Sequence, residues 1–165
     1  RGRVGNGEKV KEMLLEAKAS PVQEYALEDR VYFLPGHTNL EEGYIRIRKE
    51  AGKPECIIQQ KRKHGGVSVE TYRSHAPDLN TAKHRIQGHW LACIIARKGT
   101  LYTWNGLRVH VEQIEEFGNS IEILGENENT ILDAFYQLGA TDIRNAHHQS
   151  LPLQFMIAKN GKKPL

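Results

Sequence analysis

At 165 residues, with 39% hydrophobic and 26% charged side chains, the chain has the composition of a single soluble globular domain able to bury a core. The 23 Lys and Arg against 20 Asp and Glu leave a formal charge of +3, too small an excess to argue for nucleic acid. No apolar run approaches the roughly 20 residues that span a bilayer, and no signal peptide opens the chain. Cys56 and Cys93 stand alone, without CxxC or zinc spacing, which reads as reduced thiols in a cytoplasmic compartment. The first residue is Arg1 rather than Met, which reads as a fragment, a processed product or one domain of a longer polypeptide.

In chain order, the glycine-rich entry Arg1-Gly2-Arg3-Val4-Gly5-Asn6-Gly7 leads to a helix capped by Asn6, with Val10, Met13, Leu14 and Ala17 at helical spacing and Pro21 as its stop. A strand is expected over 23–34, then the Pro35-Gly36 turn and a strand containing Tyr44-Ile45-Arg46-Ile47-Arg48. Ala51-Gly52-Lys53-Pro54 and His64-Gly65-Gly66 turn into strands at 56–61 and 67–73, giving two successive antiparallel hairpins. Pro77-Asp78 opens a second helix running through Ile86 to Trp90. Further strands are expected at 94–97, 101–104, 107–112 and 121–123, separated by Gly99, Asn105-Gly106 and Gly118-Asn119. Asn129 is expected to cap a helix carrying Leu132, Phe135 and Leu138, with Gly139 as its stop. Residues 1–158 read as one domain, and 159–165 as a flexible basic tail.

The strand side chains carry the chemistry. Alternate residues of a strand share a face, so Arg46 and Arg48 point one way and Ile45 and Ile47 the other. Val69-Glu70-Thr71, Arg108-Val109-His110-Val111-Glu112 and Ser120-Ile121-Glu122-Ile123 repeat the pattern with charges of both signs. Closed into a barrel, such strands would line a polar tunnel in which cations grip phosphate and carboxylates hold a divalent metal.

The order of these motifs resembles the CYTH family, the triphosphate tunnel metalloenzymes that include class IV adenylyl cyclases and thiamine triphosphatases. The resemblance rests on Asp29-Arg30-Val31-Tyr32-Phe33, on Tyr44–Arg48 beside the family's LRIR strand and on 57–61 beside its LTLK strand. It continues through Val69-Glu70 at RxExE, Arg97 at KxR, and Glu112 through Glu122 at the LD…EIE stretch. It implies an α+β fold, an antiparallel eight-stranded or near-closed β-barrel with peripheral helices, binding a small-molecule triphosphate with Mg or Mn. Arg46, Arg48, Lys61 and Arg97 would clamp phosphate, Glu70, Glu112 and Glu122 would hold metal, and Glu112 and Glu122 would be catalytic. The implied function is metal-dependent hydrolysis of tripolyphosphate, a nucleoside triphosphate or thiamine triphosphate. The alternatives are a catalytically weakened polyphosphate or nucleotide sensor and an adenylyl cyclase.

The chain also departs from the family. The ExExK strand is absent, Tyr72 follows Glu70 and Leu124 follows Glu122 where a further Glu is frequent, Ile95 takes the lysine position of KxR, and Glu112 replaces the aspartate of LD. A missing first strand would leave sheet edges to be completed by preceding residues, an extra domain or a second copy.

Each residue has a plainer reading. Arg46 and Arg48 could lie on a solvated edge strand, Lys61 belongs to the basic run Lys61-Arg62-Lys63, Arg97 sits next to Lys98, and an isolated Glu70 or Glu112 is most often a surface residue. The eight histidines supply no ligand set: His84 and His89 fall on different helical faces, and His147-His148 has no third partner. The glycine-rich entry lacks P-loop spacing. Trp90 reads as core and Trp104 as a packing residue, while a nucleic-acid barrel would need exposed aromatics among basic residues, against the 7% aromatic content here.

Overall fold

The computed structural model describes residues 1–64, 67–143, 151–152 and 154–156. Its strands are β1 (Gly2–Arg3), β2 (Ser20–Tyr32), β3 (Gly43–Glu50), β4 (Cys56–His64), β5 (Val67–Ala76), β6 (Leu91–Trp104), β7 (Leu107–Ile114) and β8 (Gly118–Leu124). Its helices are α1 (Gly7–Glu16), α2 (Leu79–Arg85) and α3 (Glu128–Gln137). The eight strands form one antiparallel sheet in the order β1-β8-β7-β6-β2-β3-β4-β5, an α+β fold as the sequence predicts. No helix among the described residues is long and apolar enough to cross a membrane. The turn at Gly65 and Gly66, His147-His148 and the basic tail lie outside the described residues.

Two compact units divide the chain: Arg1–Tyr25 with Arg97–Asn145, and Ala26–Ala96 with the segment after Ala146. In the first, Asn6 caps α1 as expected, its side-chain oxygen accepting from the amides of Glu8 and Lys9 at 3.0 and 3.2 Å. Pro21 is not what ends the helix. Lys18 turns left-handed at φ 60°, and Pro21 already belongs to β2. At α3 the cap is Asn127 rather than Asn129, its side chain accepting from the Thr130 amide at 3.1 Å, while Gly139 terminates the helix at φ +66° as its position predicts. Val109 and Val111 of β7 and Ile121 and Ile123 of β8 alternate onto one face, where they meet Val10 and Leu14 of α1 and Phe135 of α3. Trp104 packs into this cluster, as expected for a packing residue.

Strand β6 is continuous where two strands separated by Gly99 are expected. A glycine inside a strand marks a close approach rather than a break. A Cβ on Gly99 would stand 2.6 Å from the carbonyl oxygen of Val111 and 3.0 Å from Cγ of Glu112.

In the second unit, β3, β4 and β5 form the two expected hairpins. Ile45, Ile47 and Ile58 pack with Ala82 of α2 and with Ile86 just after it. Asp78 caps α2, accepting from the Thr81 amide at 2.7 Å. Trp90, expected in this core, is 81% exposed. Its spacing from Ile86 is not helical in the fold, because α2 stops at Arg85 and Gly88 reverses the chain at φ +86°.

Candidate functional site

With the Ile face of β3 covered by α2, the opposite face holds the charges. The register sets Asp29 of β2 against Arg48, Arg46 against Gln59 of β4, and Tyr44 against Lys61. Arg48 donates to both oxygens of the buried Asp29 carboxylate, Nε at 2.7 Å and Nη2 at 2.8 Å, and Arg46 Nη1 lies 3.6 Å from Asp29 Oδ2. Arg46 Nε donates to Gln59 Oε1 at 3.1 Å, and the Gln59 amide in turn donates to Glu70. Lys61 Nζ and Arg73 Nη1 approach Glu70 at 3.4 and 3.5 Å. The outcome is a connected polar network in which both expected arginines are aimed by neighbours.

Glu70 reaches this face through a bulge. Gln60 pairs with Tyr72 but Lys61 pairs with Glu70, so Thr71 is the additional residue of β5. The shift places Glu70 and Arg73 on the same face although they are three apart, and leaves Tyr72 on the other face, 52% exposed. Tyr72 therefore does not occupy the next inward position after Glu70, as simple alternation implies; Arg73 does. Burial would raise the Glu70 carboxyl, but Lys61, the Gln59 hydrogen bond and Arg73 together hold it below its ordinary value.

The first unit gathers a second charged cluster on the sheet face opposite Val109 and Val111. Glu112 lies across from Ser120 and Gly99, and His110 lies across from Glu122. Glu112 is 2% exposed. Its Oε1 accepts from Arg97 Nη1 at 2.6 Å and from the Tyr25 hydroxyl at 2.8 Å, and Arg1 Nη1 donates to its Oε2. Arg1 Nη1 also donates to Ser120 Oγ at 2.9 Å, and Arg1 Nη2 pairs with Glu122 Oε2 at 2.9 Å. The Tyr25 hydroxyl lies 2.9 Å from His110 Nδ1.

Burial pushes the Glu112 carboxyl up, and Arg1 and Arg97 more than reverse this, so it stays below the ordinary carboxylate range. Glu122 follows the same course, with burial opposed chiefly by Arg1. Burial, with Glu112 beside it, raises the Tyr25 hydroxyl, and desolvation lowers His110 despite the nearby carboxylates. The cluster thus holds ionised carboxylates, two guanidiniums and a neutral phenol.

Of the expected phosphate-binding residues, Arg46, Arg48 and Lys61 share one face of the second unit, and Arg97 belongs to the first. Of the expected metal ligands, Glu112 and Glu122 share the Arg1 guanidinium, and Glu70 is engaged by Lys61, Arg73 and Gln59. The sequence patterns do not single out Asp29, Gln59, Arg73, Tyr25 and Arg1 as site residues. Alternation along β2 could have flagged Asp29 as the partner of an inward arginine, but the pairing of Arg1 with β8 has no local signal.

The donor set does not suit a divalent cation. Among the described residues no group of three or more His, Cys, Asp or Glu side chains is placed to hold a metal ion, and both oxygens of Glu112 are engaged by guanidinium or phenol donors.

The fold and its charged faces define an α+β protein built on an eight-stranded antiparallel sheet, and comparison with solved structures agrees. The chain matches a protein from Pyrococcus horikoshii with a TM-score of 0.68 and 17% identity, covering 96% of each chain. It matches a candidate adenylate cyclase from Vibrio parahaemolyticus with a TM-score of 0.67 and 12% identity, over 87% of this chain and 91% of that one. A candidate adenylyl cyclase from Hippeastrum, described as revealing a dominant triphosphatase activity, matches with a TM-score of 0.58 and 13% identity over 99% of this chain and 94% of that one. No protein-family model and no curated protein sequence matches the chain. At these identities the likeness is one of fold.

Proposed function

We propose that the chain recognises a small triphosphate, such as tripolyphosphate, a nucleoside triphosphate or thiamine triphosphate. The observation that carries this reading is the shared face of Arg46, Arg48 and Lys61, where Asp29 and Gln59 fix the guanidiniums. A pre-aimed guanidinium loses little freedom on meeting phosphate oxygens, and its planar fork matches them. Arg97 is the corresponding cation of the first unit, held by Glu112.

A second reading, turnover of the triphosphate with Mg or Mn, rests on the activity described for the Hippeastrum neighbour. Calorimetric titration with tripolyphosphate, beside an assay of phosphate release with Mg or Mn, separates the two. Saturable binding without release supports recognition. Metal-stimulated release that Glu122→Gln abolishes moves the function to hydrolysis, and absence of both binding and release removes both readings.

A further inference from the structure

The Glu112–Glu122 pair has the look of half a metal site, and the surrounding side chains say what fills it. Arg1 reaches between the two carboxylates with one terminal nitrogen to each: Nη1 to Glu112 and Nη2 to Glu122. Its remaining Nη1 proton is directed at Ser120 Oγ, 2.9 Å away. The guanidinium is buried, its side chain 5% exposed, and held at three points by β7 and β8. Gly2 and Arg3 anchor the backbone behind it by pairing with Ile121 and Ser120.

We propose that the Arg1 guanidinium takes the place of a divalent cation between Glu112 and Glu122, so that this carboxylate pair binds neither Mg nor Mn while Arg1 is present. Among the described residues, two carboxylates, Glu112 and Glu122, face two guanidiniums, Arg1 and Arg97. The other titratable side chains of the set are the Tyr25 phenol and the His110 imidazole, with Arg108 next along the same face of β7. A divalent ion added to this set would bring two uncompensated charges into a buried site, and desolvating charge without a partner is costly. Removing Arg1 reverses the balance, leaving two carboxylates from adjacent strands with one guanidinium. A hard cation with retained waters then fits, since Mg and Mn bind through one or two carboxylates.

The test contains no phosphate, so its outcome is independent of whether the chain recognises triphosphate. Free Mn is followed by electron paramagnetic resonance as protein is added, with thermal melting in Mn as a second readout. The wild-type chain should leave the free-Mn signal unchanged. Arg1→Ala should take up one Mn per chain, and the double variant with Glu122→Gln should lose it at least tenfold. Arg1→Gln, which keeps length and hydrogen-bond donors without charge, carries the same expectation and serves where alanine does not fold. Stoichiometric Mn uptake by the wild type that Glu122→Gln abolishes would overturn the inference. So would a folded, neutral Arg1 variant that takes up no Mn.

Discussion

Asp29 shows how much of the candidate site depends on residues that touch no ligand in the proposed function. It is 1% exposed and receives two hydrogen bonds from Arg48. Asp29→Ala should lower stability by about 2–3 kcal/mol in urea denaturation, because a partly exposed guanidinium loses a charged partner. The same variant should weaken tripolyphosphate binding through lost aim. Arg48→Ala should weaken binding by tenfold or more, as expected for a charge-assisted contact of about 1.5–3 kcal/mol. Arg62→Ala should leave binding close to wild type, since Arg62 pairs with Gly43 and points to the opposite face from Lys61. Equal losses for the two arginines in calorimetry would contradict the assigned register.

The residue scale also sets the acid limb of stability. Glu112 and Glu122 are held below their ordinary value of 4.5, and His110 below 6.5. For each, the unfolded chain takes up its proton first as pH falls. The contribution of the carboxylates is therefore complete above pH 4.5 and is lost as pH drops through their folded values, and the cost of keeping His110 neutral begins below pH 6.5. Glu112→Gln should lower the melting temperature at neutral pH and flatten the acid limb below pH 4.5. An acid limb as steep as that of the wild type would place the titration elsewhere.

At the scale of elements, two features of the sheet put the charges where they are. Gly99 lets β6 run past Glu112 and the Tyr25 hydroxyl, which a Cβ would approach at 3.0 and 3.1 Å. Gly99→Ala should cost about 1–3 kcal/mol, because the nearest obstruction, the Val111 carbonyl oxygen at 2.6 Å, is backbone and cannot rotate aside. A melting curve unchanged from wild type would show that the strand yields there. The Thr71 bulge brings Glu70 opposite Lys61, and deleting Thr71 leaves one residue between Glu70 and Arg73, as regular pairing requires, so that pairing and the fold should stay in place.

These features mark the boundary of what the sequence discloses. The hairpins, the cap at Asn6, the helix start at Asp78 and the shared face of Arg46 and Arg48 are local patterns, and they are legible. The break expected at Gly99 and the alternation expected past Glu70 both fail because they depend on what the neighbouring strand sets across from them, Glu112 and Lys61, and the pattern of a single strand does not carry that register. Trp90 misleads for a related reason: helical spacing continues past Arg85 in the sequence, but the backbone turns at Gly88.

At the scale of the whole molecule, one eight-stranded antiparallel sheet presents a charged face in each of the two compact units. What the faces hold is more specific to this chain: each carboxylate of the expected metal set is the counter-ion of an arginine or lysine. Recognition of a polyanion by arginines and lysine requires no metal and weakens as salt rises. The most direct test is calorimetric titration of the wild-type chain with tripolyphosphate in EDTA, repeated with Arg46→Ala and Arg48→Ala. The account predicts saturable binding that persists in EDTA, weakens with salt and falls at least tenfold in each variant. Binding that appears only with added Mg or Mn, or that both variants retain in full, would contradict it.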